Sequence, residues 1–382
     1  MAGIYIHIPF CRQACHYCNF HFSVSQKYKD GFLASLMKEI ELRHDFFGKS
    51  GESGKKYPIE SIYMGGGTPS ILSVGELSGI FEKLSDFFEF NQNTEITLEA
   101  NPDDLTYEKL KALRQTPINR LSIGIQSFHE ADLKYMNRVH SPGQAIEAIE
   151  NALKLGFVNL TIDLIYGTPT MNDALWKQNI QRTVNFGVQH ISAYALTVEP
   201  KTALDVFIRL GQAEQVGEEQ SARQFEIMIE LLAKTGFQHY EISNFSLPGK
   251  YSRHNLLYWT GKPYLGLGPS AHSFRASERS WNPPNTANYI KSIEKGILPL
   301  ETEQLSPAQR YDEYLMTSLR TMWGCDLGKV KEGWGEKKGE ELEKQARRFI
   351  EQGLLLQADH RLILTEKGRL FADRIASDLF WV

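Results

Sequence analysis

The chain has 382 residues, with 42 Lys+Arg against 46 Asp+Glu, a net charge of −4 and 42% hydrophobic residues. That length suggests two or three domains, and the near balance of charge lacks the basic excess of a dedicated nucleic-acid binder. No apolar run approaches the ~18–20 residues needed to span a bilayer, and no basic stretch leads into an apolar one at the start, so a cytoplasmic location without stable membrane insertion is expected.

In chain order, Ile4-Tyr5-Ile6-His7-Ile8 alternates like a strand, and Tyr28, Phe32, Leu36 and Ile40 then recur at helical spacing. Ile59 to Met64 is strand-like and stops at Gly65-Gly66-Gly67, and a helix is predicted over about Val74 to Phe88. Further strands are predicted at Glu95–Leu98, Arg120–Ile125, Asn159–Leu164 and His190–Leu196, with helices near Tyr107–Arg114, Gly143–Leu155, Asn172–Phe186 and Glu218–Leu232. A seventh strand candidate is Gln238 to Ile242. Alternation of strand and helix implies a parallel sheet with helices outside it, and six consecutive units suggest an α/β fold built on a partial (β/α)6 barrel over residues 1–243. Polar residues gather after the strands, where such a barrel forms its functional mouth.

Residues 244–300 are rich in Gly, Pro, Asn and aromatics and are expected to be an irregular connecting region. Residues 301–382 look like a small separate α+β domain: helices near Pro307–Met322 and Glu340–Gln352, apolar runs at Leu354–Leu356 and Leu362–Leu364 around a polar turn, and a last helix over Glu366–Ala376. Helices followed by a hairpin suggest a winged-helix shape, but from residue 301 onward 13 Lys+Arg face 15 Asp+Glu, which speaks against nucleic acid as its partner.

Three of the four cysteines crowd into eight residues, Cys11-Arg-Gln-Ala-Cys15-His-Tyr-Cys18, directly after the first strand. Such a loop can hold three corners of a [4Fe–4S] cluster, which ordinarily takes four Cys, leaving one iron open to a small molecule. Structural zinc also favours clustered thiols, and His7, His16 or His21 could then supply a fourth ligand. Cys325 has no partner motif and is expected to be a semi-buried structural residue.

C-x3-C-x-aromatic-C after a first barrel strand resembles the signature of the radical S-adenosylmethionine (SAM) superfamily. Further segments resemble one branch, the oxygen-independent coproporphyrinogen III oxidases and their relatives: Tyr5-Ile-His-Ile-Pro-Phe-Cys11, Gly65-Gly-Gly-Thr-Pro-Ser70, Leu98-Glu-Ala-Asn-Pro102, Gly124-Ile-Gln-Ser127, Asp163-Leu-Ile-Tyr-Gly-Thr-Pro169 and Gly266-Leu-Gly-Pro-Ser-Ala-His-Ser273. The resemblance covers nearly the whole chain. It implies that Cys11, Cys15 and Cys18 hold the cluster and that SAM chelates the open iron. Gly65, Gly66, Gly67 and Thr68 would let backbone approach the methionyl amine, although glycines also simply make tight turns. Glu99, Gln126, Arg138 and Asp163 would bind the methionyl and ribosyl groups, with Tyr5, Tyr17 and Ala195 packing against or hydrogen-bonding the cofactor.

Two details bear on the branch. The oxidases carry a further cysteine two residues after the third, where this chain has Phe20. They also extend well upstream of the first strand, which here begins by Ile4. Arg253-His254-Asn255-Leu-Leu-Tyr258-Trp259 contains H-N-x-x-Y-W, which resembles the heme-binding motif of a heme-chaperone branch. His254 would then be an axial ligand, with Asn255, Tyr258 and Trp259 around the porphyrin. In the competing reading, His254 and Asn255 brace a loop and the aromatics fill core. The resemblance implies a heme chaperone carrying heme to a hemoprotein of the respiratory chain, the cluster gating dimerisation or transfer. The alternative is radical SAM oxidative decarboxylation of coproporphyrinogen III.

Overall fold

The computed structural model describes residues 2–48 and 56–381 of the chain. Six strands, β1 (Gly3–Ile8), β2 (Ser61–Gly66), β3 (Glu95–Ala100), β4 (Arg120–Gln126), β5 (Leu160–Tyr166) and β6 (His190–Ala195), pair in parallel in sequence order. Helices α1 (Lys29–Leu42), α2 (Val74–Phe87), α3 (Tyr107–Leu113), α4 (Glu130–Tyr135), α5 (Pro142–Lys154) and α6 (Asp173–Asn185) lie between them. Several helix starts are fixed locally: Ser73 with Glu76 and Ser141 with Gln144 form reciprocal capping boxes, and the Asn172 side chain caps α6.

The strands alternate in chemistry with the two-residue period of a β-strand. One face carries Ile4, Ile6, Ile8, Ile62, Met64, Leu98, Leu121, Ile123, Ile162 and Leu164, all buried in one apolar core. The other face carries Tyr5, His7, Ser61, Tyr63, Thr97, Glu99, Arg120, Ser122, Thr161, Asp163, His190 and Ser192. A parallel sheet with two apolar faces reads instead as a continuous hydrophobic run. The inner polar groups must therefore find partners, or a ligand. At the N-terminal ends of the strands they do: Arg120 donates to the hydroxyls of Thr97 (3.3 Å) and Thr161, Thr161 Oγ meets His190 Nδ1 at 3.1 Å, and His190 Nε2 meets Tyr240 Oη at 2.7 Å. Towards the other end the polar face opens into a cavity. Tyr5 of β1 and Tyr194 of β6 line that same cavity, although a flat sheet would hold those strands about 24 Å apart. The sheet therefore curls into a partial barrel.

After β6, helices α7 (Ala203–Arg209) and α8 (Glu218–Lys234) lead to β7 (Gln238–Glu241) and β8 (Asn244–Ser246). The predicted seventh strand is thus present, but only Ile242 and Ser243 separate it from β8. So short a link allows an antiparallel hairpin and no parallel crossover, and β8 pairs antiparallel with β6. The stretch expected to be irregular is largely ordered. It holds α9 (Arg253–Trp259), β9 (Tyr264–Leu267), β10 (His272–Arg275), β11 (Glu278–Trp281) and α10 (Thr286–Glu294). Strand β9 pairs in parallel with the free edge of β1, and β10, β11 and β12 (Glu301–Gln304) continue the sheet antiparallel. Two of the glycines there serve close packing: a Cβ on Gly266 would overlap the His272 carbonyl oxygen, and one on Gly268 would meet His7 O.

The C-terminal residues run α11 (Pro307–Leu319), β13 (Cys325–Asp326), α12 (Leu327–Trp334), α13 (Glu336–Glu351) and the hairpin β14 (Leu355–Ala358)–β15 (Arg361–Leu364). This winged-helix order has its own core, including Leu315, Val330, Leu342, Phe349 and Leu362. Helix α12 and strand β13 were not foreseen, and the expected last helix is broken into Glu366–Arg369 and Ala372–Ser377. Cys325 is fully buried in this core, not semi-buried, and burial pushes its thiol up to about 12. No helix of the described residues is long and apolar enough to cross a membrane.

Candidate functional site

The cysteine loop leaves β1 at the open end of the barrel and is pinned from three sides. From β2, the Gly67 amide donates to Ile8 O (2.9 Å) and the Thr68 amide to Phe10 O (2.7 Å). From the turn after α4, Asn137 Nδ2 donates to Ala14 O (2.7 Å), and the His16 amide donates to Met136 O (3.1 Å). From α7, the Leu204 amide donates to His16 O (2.8 Å). Gly66 has φ +105°, and a Cβ there would come within 2.6 Å of the His7 ring. A Cβ on Gly67 would meet Phe10 O at 2.7 Å. The triple glycine therefore brings the loop against the end of β2, as well as leaving the strand end bare.

Cys11, Cys15 and Cys18 are all partly exposed free thiols. Thr68 Oγ donates to Cys11 Sγ and Arg138 Nη1 to Cys15 Sγ, both at 3.4 Å. Burial pushes the Cys11 thiol up to about 11 and raises Cys18 as well, so both are neutral until something takes up the thiolate charge. A small cavity of about 160 Å³ adjoins the three cysteines, Thr68, Asn101, Gln126 and Arg138. Donors aimed at sulfur, a cation and a polar hollow fit a cysteine-held iron–sulfur cluster. Of the histidines suggested for zinc, His7 has both ring nitrogens hydrogen-bonded, and His16 and His21 have one each. His7 Nε2 bonds His21 O at 2.8 Å, His16 Nδ1 bonds Tyr135 O at 3.1 Å, and His21 Nε2 bonds Thr286 Oγ at 3.0 Å.

The small cavity opens into a larger one of about 650 Å³, and the two share Tyr17, Cys18, Gly66, Glu99, Gln126 and Asp163. Glu99 accepts from Tyr63 Oη at 2.7 Å, and burial raises its carboxyl. Asp163 accepts from Ser122 Oγ at 3.1 Å, and burial, reinforced by the charge of Glu99, pushes it up to about 7. Gln126 ends β4 with φ +64°, in the left-handed region that a non-glycine residue adopts only when its surroundings impose it. A register shift between Ile123 and Gln126 accompanies that turn. Arg138 donates through Nη2 to Asn101 Oδ1 (2.7 Å) and Gly124 O (2.8 Å), while its Nε is buried without a partner. Tyr5 and Ala195 line the larger cavity. The structure thus gathers the cysteines and the residues expected at the SAM site around one pair of joined cavities, except Gly65, which is buried behind Glu99 and Tyr63 and lines neither. Sequence reasoning missed Tyr63, Asn101, Arg120, Ser122, Ser192 and Tyr194. Their signal was the polar residue at every second position of strands expected to be buried on both faces.

The H-N-x-x-Y-W residues do not share one face. They form helix α9, whose first amides (Arg253 and His254) donate to Glu95 Oε1 at 2.9 and 3.2 Å. His254 is 1% exposed, with Nδ1 at 2.9 Å from Ser61 Oγ and Nε2 at 2.9 Å from Tyr258 Oη. Its ring stacks on Tyr63 at 5.2 Å, and burial, with Arg120 nearby, lowers it to about 3. His254 and Asn255 border the 650 Å³ cavity. Trp259 points to a different cavity, and Tyr258 stands between the two.

Residues 5–192 match the family model described as the radical SAM superfamily, and residues 305–371 match the HemN C-terminal domain. The heme chaperone HemW of Bacillus subtilis is 32% identical, covering 98% of both chains. The heme chaperone HemW of Mycobacterium tuberculosis is 33% identical, covering 99% of this chain and 94% of that one. Among solved structures, coproporphyrinogen III oxidase (HemN) from Escherichia coli, a radical SAM enzyme, superposes with a TM-score of 0.84 at 23% identity, covering 99% of this chain and 90% of that one. That likeness speaks for the fold, while the near full-length identity to the chaperones speaks for the branch. On these grounds the chain belongs to the HemW heme chaperone family of the radical SAM superfamily.

Proposed function

We propose that this protein is a heme chaperone that holds a [4Fe–4S] cluster on Cys11, Cys15 and Cys18, binds SAM beside it and delivers heme to respiratory hemoproteins. The observation that carries the reading is the full-length likeness to HemW chaperones. The absence of the oxidases' additional cysteine supports it: Phe20 stands there, 67% exposed at the mouth.

When bound, the cluster supplies an open iron for the amine and carboxylate of SAM. The chain's own residues do the rest. Thr68 and Arg138 donate to the thiolate sulfurs, which stabilises their charge. The Gly66 backbone and Glu99 would face the methionyl amine. Asp163, held by Ser122, would accept hydrogen bonds from the ribose hydroxyls, and Gln126 is turned towards the same hollow by its strained backbone. Tyr5, Tyr17 and Ala195 line the chamber. His254, neutral and hydrogen-bonded through both nitrogens, braces the wall between β2 and α9. Heme contacts fall to Tyr258 and Trp259.

The finer expectations belong to the same proposal: a cytoplasmic protein, no nucleic-acid partner, and a homodimer that depends on the cluster. The test is transfer. Heme-loaded, cluster-reconstituted protein is mixed with the heme-free form of a respiratory b-type cytochrome, and the cytochrome spectrum is followed. Appearance of the holo-cytochrome spectrum, faster than with free hemin at equal concentration, is expected. Retention of heme with no transfer would contradict the chaperone role.

A further inference from the structure

A second large cavity, of about 910 Å³, lies between the β9–β10 side of the sheet and the winged-helix residues. Its size falls within the roughly 300–1,000 Å³ of small-molecule sites. The known radical SAM chemistry does not use it, because it is separated from the cysteine loop by α9, with Tyr258 as the shared wall.

Two aromatic walls face it. On the sheet side, Tyr258 and Tyr264 meet edge to face at 4.6 Å, and Tyr264 stacks on Phe274 at 6.2 Å. On the winged-helix side, Tyr314 stacks on Trp334 at 5.7 Å. Trp259 also lines the cavity, with its indole Nε1 buried and without a partner.

The charge is equally specific. Four cations line the cavity: Arg279, Arg310, Lys329 and Arg361. Arg279 is paired with Glu313 at 2.5 Å and Arg361 with Asp326 at 3.1 Å. Arg310 and Lys329 have no ion pair among the described residues. The lining therefore has two cations more than anions, both on the exposed rim. A ligand that is flat, aromatic and apolar in its body and carries two carboxylates matches these walls and this rim.

We infer that this cavity is the seat of the heme, with the porphyrin between the two aromatic walls and its propionates on Arg310 and Lys329. The inference rests on the reading of heme as the cargo. It moves the cargo out of the SAM chamber and gives the winged-helix residues a binding role.

The test is a hemin titration of the full-length, cluster-reconstituted protein, alongside hemin dimethyl ester, which lacks the two charges. Wild type is expected to bind one hemin per chain and to bind the ester at least about tenfold more weakly, as expected from losing charge-assisted hydrogen bonds of about 1.5–3 kcal/mol. In R310E/K329E, two rim substitutions that remove no core contact, hemin affinity should fall by at least about tenfold while ester affinity stays as in wild type. Iron content and circular dichroism would check that the variant is folded. Hemin affinity unchanged in R310E/K329E, or equal affinity of wild type for hemin and ester, would overturn the inference. If Asp163→Asn, at a residue that lines only the SAM chamber, lost hemin while R310E/K329E kept it, the heme would belong in the SAM chamber. Failure of wild type to bind any hemin would instead defeat the chaperone reading, and this inference with it.

Discussion

Asp163 illustrates at the residue scale what burial does to the proton of a carboxyl group. It sits opposite Ser192 in the sheet, accepts from Ser122, and is raised by burial and by the charge of Glu99. Its folded-state value of about 7 lies above the ordinary 3.8. The folded protein therefore binds this proton more tightly than the unfolded chain does. Stability from this group is greatest at low pH and is lost as pH rises between about 4 and about 7. Asp163→Asn should accordingly be more stable than wild type in the cofactor-free protein. The gap should open from about pH 4 and level off above about pH 7, measured as melting temperature across pH. A gap that closes with rising pH would mean that the carboxylate is held charged by partners. The same substitution should weaken SAM binding, since an amide oxygen accepts from a ribose hydroxyl less strongly than a carboxylate does.

His254 makes the complementary point. As a residue type in an H-N-x-x-Y-W motif it reads as a metal ligand, and nothing in the sequence shows that both ring nitrogens are already occupied by Ser61 and Tyr258. Those partners are 193 and 4 positions away, and only the fold brings the distant one into reach. The cysteines were legible for the opposite reason. Their spacing is local, so the loop is recognisable without knowing what surrounds it. Arg138 lies between these cases: its segment gives little sign of function, yet the guanidinium reaches Cys15 from 123 positions away.

At the scale of elements, the six parallel strands and their helices were readable because periodicity and capping agree. Ser73 and Ser141 begin helices where the apolar stripe begins. The edge strands were not readable. Strands β9 to β11 are four residues each, too short to show a clear alternation, and they lie in a Gly-, Pro- and Asn-rich stretch that resembles loop until the sheet that accepts them is known. The triple glycine was read as a turn that admits a ligand, and the structure adds a second requirement. Gly66 must adopt a positive φ and leave room for His7. Gly66→Ala should cost about 1–3 kcal/mol, from backbone strain together with overpacking. Because the same turn pins the cysteine loop, iron incorporation should fall with it. A variant that melts like wild type and reconstitutes a full cluster would show that the loop keeps its place without this contact.

At the scale of the whole molecule, α9 divides the protein into two chambers. One is polar, lined by the inner face of the partial barrel and opened by the cysteine loop. The other is aromatic, walled partly by winged-helix residues. The fold class was legible because it depends on element order. The second chamber was not, because its walls come from residues between 256 and 361 of which only Tyr258 and Trp259 belong to a motif. Such a division suits a protein in which cofactor chemistry and cargo are kept apart, and it separates the chaperone from an oxidase whose substrate must reach the SAM chamber.

The most direct test of that separation is an anaerobic heme titration of the cluster-reconstituted protein, with coproporphyrinogen III turnover assayed on the same sample. The account predicts one heme bound per chain and no decarboxylated product. Turnover of coproporphyrinogen without specific heme binding would contradict it, and would make Phe20 an insufficient marker of the chaperone branch.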